Sequence, residues 1–137
     1  MQDFNEETPK VTICVITYNH ERFIEACLKS ILNQSYENIE ILVVDDCSMD
    51  QTVLLAKQTL EKTKNSKIIS FEAREGITAT ANYALSKANG DFVKIFAGDD
   101  YYKPEGVKRQ VKALQQNPDA SLCYANMQWA WRGILNI

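Results

Sequence analysis

Apolar residues in this chain come in short dense runs, separated by longer stretches where they recur every three or four positions. Residues 11–17 (VTICVIT) and 39–44 (IEILVV) are β-branched and nearly continuous, the pattern of strands covered on both faces. Residues 67–71 (KIISF), 91–97 (DFVKIFA) and 121–125 (SLCYA) are shorter runs of the same kind and predict three more strands. Between the runs the period changes. Phe23, Ile24, Cys27, Leu28, Ile31 and Leu32 form doublets four apart, one side of a helix, with Asn19 as its expected N-cap. After the polar turn 47–50, a second helix carries Val53, Ala56 and Leu60 on its apolar side. Residues 77–88 predict a helix that buries Ile77, Ala81, Ala84, Leu85 and Ala88 and ends at Asn89-Gly90, with a residue there free to take positive φ. Pro104 suits the first turn of a last helix, with Val107, Val111 and Leu114 on its buried side and a stop at Asn117-Pro118.

Strand and helix alternating at this spacing imply an α/β fold of three layers (α/β/α), with a mostly parallel sheet and right-handed crossovers. Sheets of that kind bind ligands at the carboxyl ends of their strands. Tyr18-Asn19, Asp45-Asp46 and Gly98-Asp99-Asp100 all fall at such ends, although the strands were placed on apolar pattern alone. The 137 residues suffice for one domain. Residues 1–10 are expected to be a flexible N-terminal segment, 11–125 the body and 126–137 an apolar tail. That tail carries Met127, Trp129, Trp131, Ile134, Leu135 and Ile137, a surface suited to being covered. It either folds back on the sheet or is covered by a partner, a second copy of the chain included, or by a missing segment.

Composition narrows the function. Hydrophobic residues make up 45% and charged ones 24%, ordinary for a soluble globular protein. A net charge of −3 argues against nucleic acid as partner, and an acidic domain that binds an anion needs a cation to help. Cys14, Cys27, Cys47 and Cys123 form no C-x-x-C pair and have one histidine, His20, beside them, so zinc is not expected. Reduced thiols in a cytoplasmic protein are the expectation. The polar, acidic start is the opposite of a secretory signal, and no apolar run approaches the roughly 20 residues of a membrane span. Peripheral membrane attachment stays open.

Asp99-Asp100 is the strongest chemical signal. Adjacent acids repel each other, and a divalent cation would remove that repulsion while leaving a site for phosphate oxygens. Gly98 ahead of them permits close backbone approach. Asp45-Asp46 has two readings: turn capping with Ser48, or a carboxylate that accepts from a ribose hydroxyl or a base N–H. Arg74 and Lys94 could neutralise phosphate but read more simply as solvated, and His20 as exposed and inert. Neither G-x-G-x-x-G nor G-x-x-x-x-G-K-[ST] occurs, and one histidine makes no serine triad.

Three stretches in series, VTICVITYN, SILNQSYENIEILVVDDCSMDQT and EGITATANYALSKANGDFVKIFAGDD, resemble the family 2 glycosyltransferases of the GT-A fold. The resemblance runs over residues 11–125. It implies a Rossmann-like nucleotide-diphospho-sugar transferase fold, a donor that is usually a UDP-sugar, Mn²⁺ or Mg²⁺ as cofactor, and hexosyltransferase-type transfer with inversion. The acceptor it implies is a saccharide or lipid-linked saccharide of unknown identity. Thr17 and Tyr18 would lie against the base, Asp46 with Asp45 would contact base or ribose, and Asp99 and Asp100 would serve ribose and metal.

Three departures from the family pattern stand out. Ala97-Gly98-Asp99-Asp100 replaces the common D-A-D-D, so metal binding rests on the last pair. Thr80-Ala81-Asn82 lacks the arginine many members carry before the asparagine. No residue matches the family's general base, so a truncated fold holding the donor-binding half is expected, with the catalytic base unassigned. Two other readings compete: a signalling receiver domain, which ILVVDD also resembles, and a nucleotide-sugar-binding protein with no chemistry.

Overall fold

The computed structural model describes residues 8–127. Four strands alternate with four helices: β1 (Val11–Thr17), α1 (Ile24–Leu32), β2 (Ile39–Asp45), α2 (Thr52–Leu60), β3 (Ser66–Ser70), α3 (Ile77–Lys87), β4 (Phe92–Ala97) and α4 (Gly106–Gln116). The strands form one parallel sheet in the order β3-β2-β1-β4. β1 is inside the sheet and every one of its seven residues is buried, as its unbroken apolar run requires.

Two cores account for the three layers. Val11, Ile13, Val15, Ile41, Val43 and Phe96 project from one sheet face onto the buried sides of α1, α2 and α4. Cys14, Ile16, Leu42 and Val44 project from the other face and pack against Ala84 of α3. The chain steps outward from β1 to β3 with its helices on the first face. It then doubles back to β4 with α3 on the second, so each crossover keeps the same hand. The strand order therefore reverses between β1 and β4, and the carboxyl ends of those two strands are where sheets of this kind bind ligands.

Three local expectations need correction. Residues 121–125 form no strand; Leu122 and Tyr124 stand exposed and no ladder partner exists for them among the described residues. Backbone N–H and C=O groups need such a partner whatever the residues' β preference. Trp129 and Trp131 lie outside the described residues. Helix α3 is rotated from its expected face, with Ile77 and Leu85 exposed and Thr80 and Ala84 buried. Thr80 can occupy the core because its hydroxyl donates to Gly76 O at 2.8 Å.

The end of α3 differs as well, for neither Asn89 nor Gly90 has positive φ. Gly90 is needed for room: a Cβ there would lie 2.6 Å from Thr12 N, 2.7 Å from Phe92 O and 2.8 Å from Lys10 O. All three are backbone atoms, which cannot swing aside. Gly90→Ala is expected to cost about 1–3 kcal/mol, read as a lower denaturant midpoint at unchanged m-value.

Candidate functional site

The site is built at the end of β1. Thr17 is its last residue, fully buried, and pairs with Asp45 across the ladder. The chain then turns through Asn19, which adopts φ 52°. Asn19 does not cap α1. Its N–H donates to Ser48 Oγ at 2.8 Å and its Oδ1 accepts from Met49 N at 2.9 Å, so it ties the β1 turn to the loop after β2. The first N–H groups of α1 are met by His20 O, which accepts from Phe23 N and Ile24 N. Cys47, in the partner loop, is also left-handed at φ 64°. Asparagine takes this region readily, whereas a left-handed cysteine is held there by the contacts of its loop.

The carboxylates ending β2 are both buried. Asp45 accepts from Ser48 N at 2.8 Å, from the Ser48 hydroxyl, and from Ser70 Oγ at 3.0 Å. It closes its own turn, the capping role allowed for this pair. Asp46 reaches further: Oδ1 accepts from Glu75 N at 2.7 Å and Oδ2 from Gly76 N at 3.0 Å. One carboxylate thus shapes the loop that launches α3, where Gly76 takes φ 90°.

Arg74, in that loop, is not merely solvated. Its guanidinium carbon lies 4.0 Å from the centroid of the Tyr18 ring, and its Nε lies 3.9 Å from Asp46 Oδ2.

Across β1, the end of β4 carries Gly98, Asp99 and Asp100. A Cβ on Gly98 would meet Thr17 Oγ1 at 2.6 Å and His20 Nδ1 at 2.9 Å, so glycine is what lets this strand end close against β1. Burial pushes the Asp100 carboxyl above its ordinary value, and the charge of Asp99 adds to the effect. Beneath the pair, burial and then the two carboxylates push the Cys27 thiol up to about 12, which leaves it unreactive. The segment after the acids is fastened from α1: Ser30 Oγ accepts from Tyr102 N at 2.9 Å, and Gln34 bridges Lys103 O and Val107 N. Tyr102 stacks on Phe96 with ring centroids 5.1 Å apart.

His20 is the other residue the sequence reading set aside. Its Nδ1 is 3.1 Å from Thr17 Oγ1, and its Nε2 is 3.9 Å from Asp99 Oδ2. No local pattern signals either Arg74 or His20, because their partners lie about 30 to 80 positions away or across a turn. The structure therefore brings Thr17, Tyr18, Asp45 and Asp46 into one connected cluster, with Asp99 and Asp100 on the far side of β1. Two strand spacings of about 5 Å separate the acid pairs. Among the described residues, no three His, Cys, Asp or Glu side chains gather as a metal-ligand set.

A parallel sheet with helices on both faces and acids at its switch point agrees with the GT-A fold expected from the resemblance. The chain belongs to glycosyl transferase family 2, whose profile matches residues 12–132. EpsE of Bacillus subtilis, whose glycosyltransferase designation is itself provisional, is 36% identical over 110 residues, 80% of this chain and 40% of EpsE. The structure of Staphylococcus aureus TarS 1–349 with UDP-GlcNAc superposes with a TM-score of 0.74 at 32% identity, covering 80% of this chain and 32% of that one. The mannosyltransferase PcManGT of Pyrobaculum calidifontis, in complex with GDP-Man and Mn²⁺, gives 0.72 at 31% identity, covering 78% and 32%. The chain thus spans about a third to two-fifths of the length of these relatives. Family membership removes the receiver-domain reading of ILVVDD. No helix among the described residues is long and apolar enough to cross a membrane.

Proposed function

We propose that this chain forms the donor-binding part of a glycosyltransferase that takes a nucleotide-diphospho-sugar and transfers a hexose to a saccharide or lipid-linked acceptor. One observation carries the reading: β1, β2 and β4 end side by side at the switch point, each delivering the polar residues such a donor needs. In this reading Thr17 and Tyr18 flank the base, with the Tyr18 ring as its stacking face. Asp46 faces base and ribose from the β2 turn that the buried Asp45 holds in shape, Asp99 faces the ribose, and Asp99 and Asp100 together face the diphosphate. UDP is the first nucleotide to test, because the superposed TarS structure holds UDP-GlcNAc.

The acid pair fits a divalent ion. Two carboxylates stand side by side, and one of them is raised first by burial and then by its neighbour's charge, a repulsion that a cation would relieve. A pair alone is a partial ligand set, which suits Mg²⁺ or Mn²⁺, since such ions are commonly held by one or two carboxylates plus substrate phosphates. Bound there, the ion would stabilise the negative charge gathering on the leaving diphosphate. The protein's own part is to orient the donor and hold the diphosphate end at Asp99 and Asp100. Inverting transfer then joins the acceptor oxygen to the anomeric carbon as the bond to the diphosphate oxygen breaks. The acceptor's proton goes to a base not assigned among the residues named here.

A thermal-shift screen of UDP- and GDP-sugars with and without Mn²⁺ tests this. The expected result is a rise in Tm that needs both one donor and Mn²⁺, worth about 2.7 kcal/mol at a hundredfold excess over Kd. Melting unmoved by every donor would overturn the reading. Tight binding without slow donor hydrolysis would instead mark a sensor.

A further inference from the structure

We propose that His20 is a positioning residue of the donor site: backed by Thr17, its imidazole holds the Asp99 carboxylate at the end of β4. The inference rests on the donor-site reading above. His20 is fixed from three directions. Its N–H donates to Thr52 Oγ1 at 2.8 Å, and that buried hydroxyl donates in turn to Asp50 Oδ1 at 2.5 Å. Its O caps the start of α1. The left-handed Asn19 just before it folds the imidazole back over the end of β1. Gly98 supplies the space, since any Cβ there would strike both Thr17 and the imidazole.

The chemistry follows from which nitrogen holds the proton. The Thr17 hydroxyl is buried and lies 3.1 Å from His20 Nδ1. If Nδ1 carried the proton, the Nε2 lone pair would face the Asp99 carboxylate. If the hydroxyl donates to Nδ1, the proton sits on Nε2 and points at Asp99 Oδ2, 3.9 Å away. The second arrangement is electrostatically favoured. The His20 side chain is 25% exposed and that of Asp99 49%, so the anchored ring is the fixed partner and the carboxylate the mobile one. A small rotation of Asp99 closes the gap to hydrogen-bond range. A carboxylate held this way loses less rotamer freedom when ligand arrives.

Two kinds of measurement decide it. In the ligand-free protein at pH 8, ¹⁵N–¹H correlation of the imidazole should show the Nε2–H tautomer; Nδ1–H would overturn the proposal. With Mn²⁺ and UDP (GDP if the donor screen selects it), His20→Ala should weaken binding about tenfold. His20→Gln, whose amide nitrogen can stand in for Nε2, should recover part of that loss. Affinity for the bare nucleoside, which meets Asp99 through its ribose alone, should fall by much less. In an Asp99→Ala background, which leaves no acceptor for Nε2–H, His20→Ala should cost nothing more. Additive losses, or an equal loss of nucleoside affinity, would show that the substitution merely loosens the β1 turn and would sink the idea. If the wild type binds no nucleotide at all, the donor-site reading fails, and the tautomer alone still decides the His20 geometry.

Discussion

Asp100→Asn is expected to abolish Mn²⁺-dependent binding of a nucleotide-diphospho-sugar while slightly raising the stability of the ligand-free protein. The two effects have one cause. Asp100 is held above its ordinary carboxyl value, first by burial and then by the charge of Asp99. A folded-state value above the unfolded one, about 3.9 for aspartate, means the native state binds the extra proton between the two values. Stability therefore falls as pH rises through that window, and the penalty persists at neutral pH. Asparagine carries no such charge. The gain in denaturation midpoint should be present at pH 7 and shrink towards pH 4. A cation would relieve the same repulsion, which is why a destabilising acid is useful here. Partners that merely hydrogen-bond to metal ligands cost 10–100-fold in affinity when removed, so losing a ligand itself should cost about 100-fold or more. Unchanged Mn²⁺-dependent affinity in Asp100→Asn, measured by calorimetry, would remove Asp100 from the site.

How far the sequence reached depends on what kind of information each feature carries. β1 and β2 were legible because they are buried on both faces and a continuous apolar run admits few other readings, while β3 and β4, half exposed, were read from their shorter apolar runs. The acids could be placed at one edge because parallel strands end together. Features set by distant partners were hidden. Residues 121–125 have strand preference but no neighbour among the described residues, and preference does not supply one. Thr80 looked like a polar position on α3, yet a bond to its own helix made it a core residue. Arg74 and His20 sit in loops, where exposure is the default expectation, and only the folded chain sets one on Tyr18 and the other on Thr17. Asp46 was recognised as a candidate, but its hold on residues 29 and 30 positions away was not.

That hold makes Asp46→Ala the second large prediction. The substitution leaves Glu75 N and Gly76 N without their acceptor, and two hydrogen bonds to a buried carboxylate are together worth about 3–6 kcal/mol. The loop launching α3 should loosen, and Arg74 should lose its partner beside Tyr18. Faster amide exchange at Glu75 and Gly76 would report the first effect directly. On the proposed function, nucleoside affinity should fall with or without Mn²⁺, because this part of the site faces the base rather than the diphosphate. Asp100→Asn should do the reverse, sparing the nucleoside and losing the metal-dependent increment. Asp46→Asn separates shape from charge, since its one remaining oxygen can serve one of the two N–H groups while its NH₂ opposes the other. Stability and nucleoside affinity should then both fall between wild type and alanine. A loosened loop with full nucleoside affinity would mean that Asp46 builds the wall of the site without facing its occupant.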